Sequence, residues 1–535
     1  MSTRPARSWL AATLVFAAAT VVMAWPLVRH PGTLAPPHQD VYFNMWRLRW
    51  IAHALATAPA HLFDGNIFYP EKDTLAYSDA MLVEGVLAAP LSALSPVLVH
   101  TVMLLAPIAL SGVTMFALAR DLTGSRGGGL IAGTAFAFAP YRFDHLMHME
   151  LQWTVWMPLA FLALHRMLDT GRARHGVAAG AWVALQMLSC IYYGIFLSGL
   201  LAAAGVLLLI AHRGPAARRA LPPLAAGAAI AVAVSLLYAG PYRRVHAIVG
   251  DRPIEEVHAF SAQPANYLVT PEGNWLYGNP GRPGRGERRL FPGAVVTLLA
   301  LAGLLLRQPS STQVVYLLLL VAAFDLSLGF SGVVYPVLYT ALPVLRGLRA
   351  LGRAGIFVVM FLAVLAAHGY AAAMHASRFA VRASVCAALV GAMLIEYATA
   401  LPLVPYPGAA PPIYAALAKM PRGVVAELPV GTDTGRDLEG RYEYLSTFHW
   451  FPIVNGYSGN LPPSYVGRAG RLQTFPSERA LQQLRADGVR YLIVHEAQYS
   501  DRELTAIRVA LIGAGMVELG RYPDLEGSAS LYQSR

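Results

Sequence analysis

The sequence predicts a polytopic α-helical membrane protein, with about eleven transmembrane helices and a C-terminal extracytoplasmic α/β domain. Three observations predict it. Of the 535 residues, 56% are hydrophobic and only 13% charged, where a soluble domain carries roughly a quarter charged residues. Apolar runs approaching or reaching spanning length recur as far as residue 402. Beyond it the pattern changes to short buried-strand runs and amphipathic helices.

The first run, residues 8–26, follows Arg4 and Arg7. It reads as an uncleaved first span, although Val22-Met23-Ala24 also resembles a signal-peptidase site. Further runs lie near 97–119, 128–140, 152–165, 176–190, 194–211, 222–240, 290–306, 313–330, 354–374 and 384–402. The segment 82–95 is apolar but short and broken by proline, as in a re-entrant or interfacial piece. With a cytoplasmic N-terminus, the inside loops "ARDLTGSRGG", "HRMLDTGRARHG", "HRGPAARRA", "RQPSSTQ" and "HASRFAVRA" all carry arginine, as the positive-inside rule requires. The same parity places the outer loops 27–96 and 241–289 and the domain 403–535 outside the cytoplasm, apart from a transmembrane domain over 1–402.

The net charge of +11 resides in these short loops and so gives no sign of nucleic-acid binding. Cys190 and Cys386 fall inside apolar runs, without the spacing of a disulfide or zinc site. No phosphate-binding glycine loop, dinucleotide fingerprint or Ser/His/Asp signature is present. In the last segment "GVVAELPV" and "GVRYLIVHE" read as buried strands, and "SERALQQLRADG" and "DRELTAIRVALIGAG" as helices. "MVELGRYPD" with "GSASLYQ" reads as a closing hairpin.

Candidate site residues gather on the outer face. Asp40 precedes a stretch in which Phe43, Trp46, Trp50, Ile51, Ala54 and Leu55 share one helical face, with Asn44 and Arg47 off it. That pattern suits a helix lying in the membrane interface. Asp40 is either a reactive carboxylate or the N-cap of that helix. The turn "YRFDHLMHMELQW" brings Asp144, His145, His148 and Glu150 together. Such a group could bind a divalent metal ion or orient a hydroxyl, or could be a polar turn closed by Tyr141 and Trp153. Arg346, Arg349 and Arg353 repeat at helical spacing outside a span, where guanidinium groups either grip a phosphate or anchor to headgroups. Asp325 and Glu396 lie within spans, where a carboxylate is costly and either functional or bound to a neighbouring helix.

The order of these parts resembles the GT-C membrane glycosyltransferases, such as protein mannosyltransferases and lipid A aminoarabinose transferases. More narrowly, "QDVYFNMWRLRW", "NIFYP", "FAPYRFDHLMHMELQW", "LRALGRAGIF" and "STFHWFPIVNGYSG" resemble bacterial membrane proteins of that type. The resemblance implies an inner-membrane enzyme that moves a sugar from a polyprenyl-phosphate donor to an extracytoplasmic glycan, lipid or protein acceptor. It makes Asp40 the general base and Asp144 or Glu150 the second acidic motif; Arg349 and Arg353, as cations at the outer interface with helical spacing, are expected to grip the donor phosphate. Val41 follows Asp40, where the mannosyltransferases carry a glutamate. A lipid or polysaccharide transporter and a non-catalytic envelope scaffold are the competing readings.

Overall fold

The computed structural model describes residues 4–211, 215–278, 286–431 and 438–534. Every long apolar run falls on a helix: Arg4–Met23, Pro96–Thr123, Arg126–Phe138, Trp156–Thr170, Ala173–Ser189, Ile191–Ala211, Pro215–Val249, Ala294–Leu305, Ser311–Ser327, Gly355–Ala373 and Phe379–Tyr397. Among the described residues, five helical segments are long and apolar enough to cross a membrane: Pro96–Thr123, Ile191–Ala211, Arg219–Val249, Leu351–Ala373 and Phe379–Tyr397. The chain is a multi-pass membrane protein.

It divides into two compact units. The helical unit comprises Met1–Arg29, Val102–Tyr238 and Asp251–Pro402, and the sheet unit His30–Thr101, Ala239–Gly250 and Leu403–Arg535.

In the helical unit, small residues let backbones meet. A Cβ on Gly369 would lie 1.9 Å from the Leu299 carbonyl oxygen, and one on Gly303 would lie 2.4 Å from that of Leu365. The helices Ala294–Leu305 and Gly355–Ala373 therefore touch along a glycine seam, which is how helices associate where lipid supplies no hydrophobic drive. The two carboxylates within apolar segments serve as helix caps. Glu396 accepts from the backbone N–H of Ala294 (2.7 Å), and Asp325 from those of Val333 (2.9 Å) and Val334 (2.7 Å). Each satisfies amide donors that a helix start leaves open. Asp325, the polar residue on which a transport route would lean, is thus occupied at a helix end.

The sheet unit is built on four strands in the order β3-β4-β6-β5. β3 (Val424–Leu428) runs parallel to β4 (Val489–His495); β6 (Gly527–Ser534) pairs antiparallel with both β4 and β5 (Met516–Asp524). β3 and β4 are buried almost throughout, as near-continuous apolar strands of a covered parallel pair should be. A short antiparallel pair, β1 (Leu34–Ala35) with β2 (Val404–Pro405), ties the first loop to the last segment. Tyr406 reinforces it by donating its hydroxyl to the Pro36 carbonyl at 2.7 Å.

The aromatic segment forms the helix Gln39–Thr57, but it does not have the polar face expected of an interfacial helix. Asn44 and Arg47 are buried along with Phe43, Trp46, Ile51 and Ala54, while Leu55 is exposed. The reason is packing on several sides. A Cβ on Gly85 would meet Ile51 at 2.3 Å, so the helix Leu82–Ala88 lies close on one flank. On another, Asn66 accepts from Trp46 Nε1 (3.0 Å) and donates to Ser446 Oγ (3.0 Å). The helix is the core of the sheet unit.

Candidate functional site

Asp40 lies in the first turn of the Gln39–Thr57 helix and is not its cap. His38 caps it: its Nδ1 accepts from the Asp40 backbone N–H at 3.1 Å. The Asp40 carboxylate instead receives the Tyr457 hydroxyl on Oδ1 at 2.7 Å, and its Oδ2 lies 3.4 Å from His38 Nδ1. With its side chain 15% exposed, the group is held yet reachable.

Tyr457 ends the stretch Asn455-Gly456-Tyr457, which is laced to the helix Glu439–Ser446. Glu439 accepts from the backbone N–H of Gly456 (3.1 Å) and Gly431 (2.9 Å), and Glu443 from that of Tyr457 (2.8 Å). Both glutamates are buried. Burial pushes the Glu439 carboxyl up to about 8 against these hydrogen bonds. It drives Glu443 well above the carboxylate range although Arg47 opposes the shift. Arg47 donates to the Asp79 carbonyl at 2.5 Å and to Asn44 Oδ1, and lies 4.1 Å above the Phe43 ring.

A third buried network crosses the sheet. His495 on β4 lies between Glu427 on β3 (Nε2 to Oε2, 2.9 Å) and Asp524 on β5 (Nδ1 to Oδ2, 2.6 Å). Tyr414 donates to Glu427 at 2.5 Å, Tyr442 stacks on the imidazole, and Arg441 lies 3.5 Å from Asp524. Burial would lower His495, but hydrogen bonds to Asp524 and Glu427 hold it above the ordinary imidazole value. With His495 1% exposed, this group is a structural clamp.

The helical unit holds the other expected cluster, and there guanidinium groups occupy the carboxylates. Asp144 accepts from Arg289 Nη1 at 2.9 Å, and Arg289 also pairs with Glu272. Glu287, which the sequence reading did not single out, receives both Nε (3.0 Å) and Nη2 (2.9 Å) of Arg353 on one oxygen. Its other oxygen lies 3.3 Å from His145 Nε2, while His145 Nδ1 is 2.9 Å from the Tyr141 carbonyl. Burial would raise Glu287, but Arg353 and His145 hold it well below the usual carboxylate range. His148 Nδ1 stands 4.0 Å from Glu150. Arg349, 31% exposed, reaches Glu256 at 2.8 Å.

Among the described residues no three His, Cys, Asp or Glu side chains converge as ligands. Arg353 takes one oxygen of Glu287, and His145 faces the other. Arg353 does not present the open fork expected for a phosphate, because Glu287 already fills it.

No family model and no curated protein matches the sequence. Solved structures do match in fold. The arabinofuranosyltransferase AftD from Mycobacteria is 15% identical with a TM-score of 0.65, over 100% of this chain and 40% of that one. The chain thus spans well under half of that protein. The oligosaccharyltransferase AglB from Archaeoglobus fulgidus, in complex with an inhibitory peptide and a dolichol-phosphate, is 12% identical with a TM-score of 0.47, covering 100% and 75% of the two chains. For ArnT from Cupriavidus metallidurans the values are 12% and 0.40, covering 98% of each chain. The likeness to AftD shows the fold: this chain shares the fold of part of that arabinofuranosyltransferase.

Proposed function

We propose that the protein is a membrane glycosyltransferase that moves a sugar from a polyprenyl-phosphate donor to an acceptor hydroxyl outside the cytoplasm, with Asp40 as the general base. One observation carries this reading: a partly exposed carboxylate at the head of a buried helix, oriented by a phenol hydroxyl. In the step, Asp40 takes the acceptor's O–H proton as the acceptor oxygen bonds to the sugar's anomeric carbon. The bond from that carbon to the phosphate oxygen breaks, and polyprenyl phosphate leaves with the electron pair. No nucleotide sugar is available outside the cytoplasm, so a lipid must carry the donor. A small C-terminal α/β domain on the outer face, over 403–535, fits the same scheme. Arg349, rather than Arg353, is the cation of the original pair suited to an anionic headgroup.

The test uses the full chain in proteoliposomes with a panel of polyprenyl-phosphate-linked sugars, beginning with arabinofuranose, and reads release of polyprenyl phosphate. Asp40→Asn keeps the shape and loses the proton acceptor. General-base contributions are about 10²- to 10⁴-fold, so transfer should fall by that factor with the melting temperature unchanged. Wild-type transfer by Asp40→Asn refutes the base assignment.

A further inference from the structure

The motif "STFHWFPIVNGYSG" carries Tyr457, the phenol that meets Asp40. Tyr457 is 417 positions from Asp40 in sequence, yet its hydroxyl donates to Oδ1 at 2.7 Å. Two further contacts fix the phenol. Its ring meets Phe43 edge-on, with centroids 5.7 Å apart and planes at 86°, and its backbone N–H donates to Glu443 Oε2 at 2.8 Å. Glu443 is completely buried, and its Oε1 has no hydrogen-bond partner among the described residues. A buried carboxyl with one oxygen unsatisfied is costly to keep for packing alone.

We propose that Tyr457 is a positioning residue for the Asp40 carboxylate, and that Glu443 acts through Tyr457 by fixing the main chain from which the phenol reaches Asp40. The proposal rests on Asp40 being the base and adds the parts that aim it. By donating to Oδ1, the phenol fixes the rotation of the carboxylate and favours its ionised form. Glu443 holds the Tyr457 main chain by accepting its N–H at 2.8 Å, which sets where the phenol stands against Asp40. Gln at position 443 can offer the same acceptor oxygen to the Tyr457 N–H; Ala cannot.

The experiment measures kcat, KM and the pH dependence of kcat/KM on the full chain in proteoliposomes, with polyprenyl-phosphate-linked arabinofuranose as the first probe and other sugars of the panel where it is not turned over. Tyr457→Phe keeps the ring against Phe43 and removes only the donor. A hydrogen bond to a charged group is worth roughly 10- to 100-fold in rate, so kcat should fall by about that factor with KM little changed. The acid limb should move to higher pH, because a carboxylate that loses a donor takes up its proton more readily. Glu443→Ala should lose kcat in the same way, and Glu443→Gln should recover most of it. Asp40→Asn is run alongside. If it retains full activity, the base reading beneath the proposal fails. If it is inactive while Tyr457→Phe keeps the wild-type kcat and acid limb, the base reading stands and the positioning role of Tyr457 is overturned.

Discussion

Two clusters of buried acids, one in each unit, are satisfied in opposite ways. In the helical unit, Glu287 faces Arg353 and Asp144 faces Arg289, so each carboxylate has a guanidinium of its own. In the sheet unit, Glu439 and Glu443 accept backbone amides, and Asp40 accepts a phenol hydroxyl. The consequences diverge. Arg353 holds Glu287 well below the carboxylate range against its burial, whereas burial takes Glu443 well above it. A carboxylate locked to a guanidinium has little basicity left to give, while one oriented by a neutral donor can still take a proton. Position in the sequence made Asp40 and Asp144 candidates; their partners in space set them apart.

The largest effect expected on stability is in the ion-paired cluster. Removing one partner of a buried pair leaves the other charge without compensation, at a cost of about 3–5 kcal/mol. Glu287→Ala should therefore lower the melting temperature sharply, and Glu287→Ala with Arg353→Met should recover part of the loss. A single variant that melts like the wild type would remove the structural half of the comparison.

The His495 clamp is expected to give the next largest effect, read through pH. His495 is raised in the folded state, so its contribution is complete below the ordinary imidazole value of about 6.5 and is lost as pH rises through the folded value. Asp524 is lowered: burial would raise it, but His495 and Arg441 pull it down. Its share is present above the ordinary carboxylate value and is lost as pH falls through the folded one. The groups facing His495 are Glu427, Asp524, Arg441, Tyr442 and Tyr414. Melting temperature should decline as pH rises above the ordinary imidazole value of about 6.5, and His495→Asn should flatten that decline. An unchanged slope in the variant would mean that the clamp carries no proton-linked stability.

Arg349 should give the smallest effect. Its pair with Glu256 is partly exposed and worth roughly 0–1 kcal/mol, so Arg349→Lys should leave melting nearly unchanged. If it contacts an anionic headgroup through a planar fork, the same variant should raise KM for the polyprenyl-phosphate donor several-fold. Normal KM in both Lys and Ala variants would leave Arg349 as an anchor only.

The helices were legible in the sequence because apolar run length and composition report them directly. So were β3 and β4, from uninterrupted apolar runs, and the β5–β6 hairpin, from two short runs joined by a tight turn. The surroundings of Asp40 were not legible. His38 is an unusual cap, and nothing local distinguishes it from Asp40. Arg47 and Asn44 read as the polar side of a helix because the elements that bury them come from elsewhere in the chain. Glu287 stood in a glycine- and arginine-rich loop with no period to mark it. Tyr457 belonged to a motif noticed by resemblance, but only the fold brings its hydroxyl to Asp40. Local pattern finds elements, while a site made of side chains hundreds of residues apart needs their arrangement in space.

The most direct test measures two quantities on two variants: transfer rate per folded molecule and melting temperature, for Asp40→Asn and Glu287→Gln in the same lipid. The account predicts a crossed result, with Asp40→Asn melting like the wild type but losing about 10²- to 10⁴-fold in transfer, and Glu287→Gln melting earlier but transferring at a near-normal rate per folded molecule. The opposite crossing, with transfer intact in Asp40→Asn and lost in fully folded Glu287→Gln, would contradict it and move the chemistry to the helical unit.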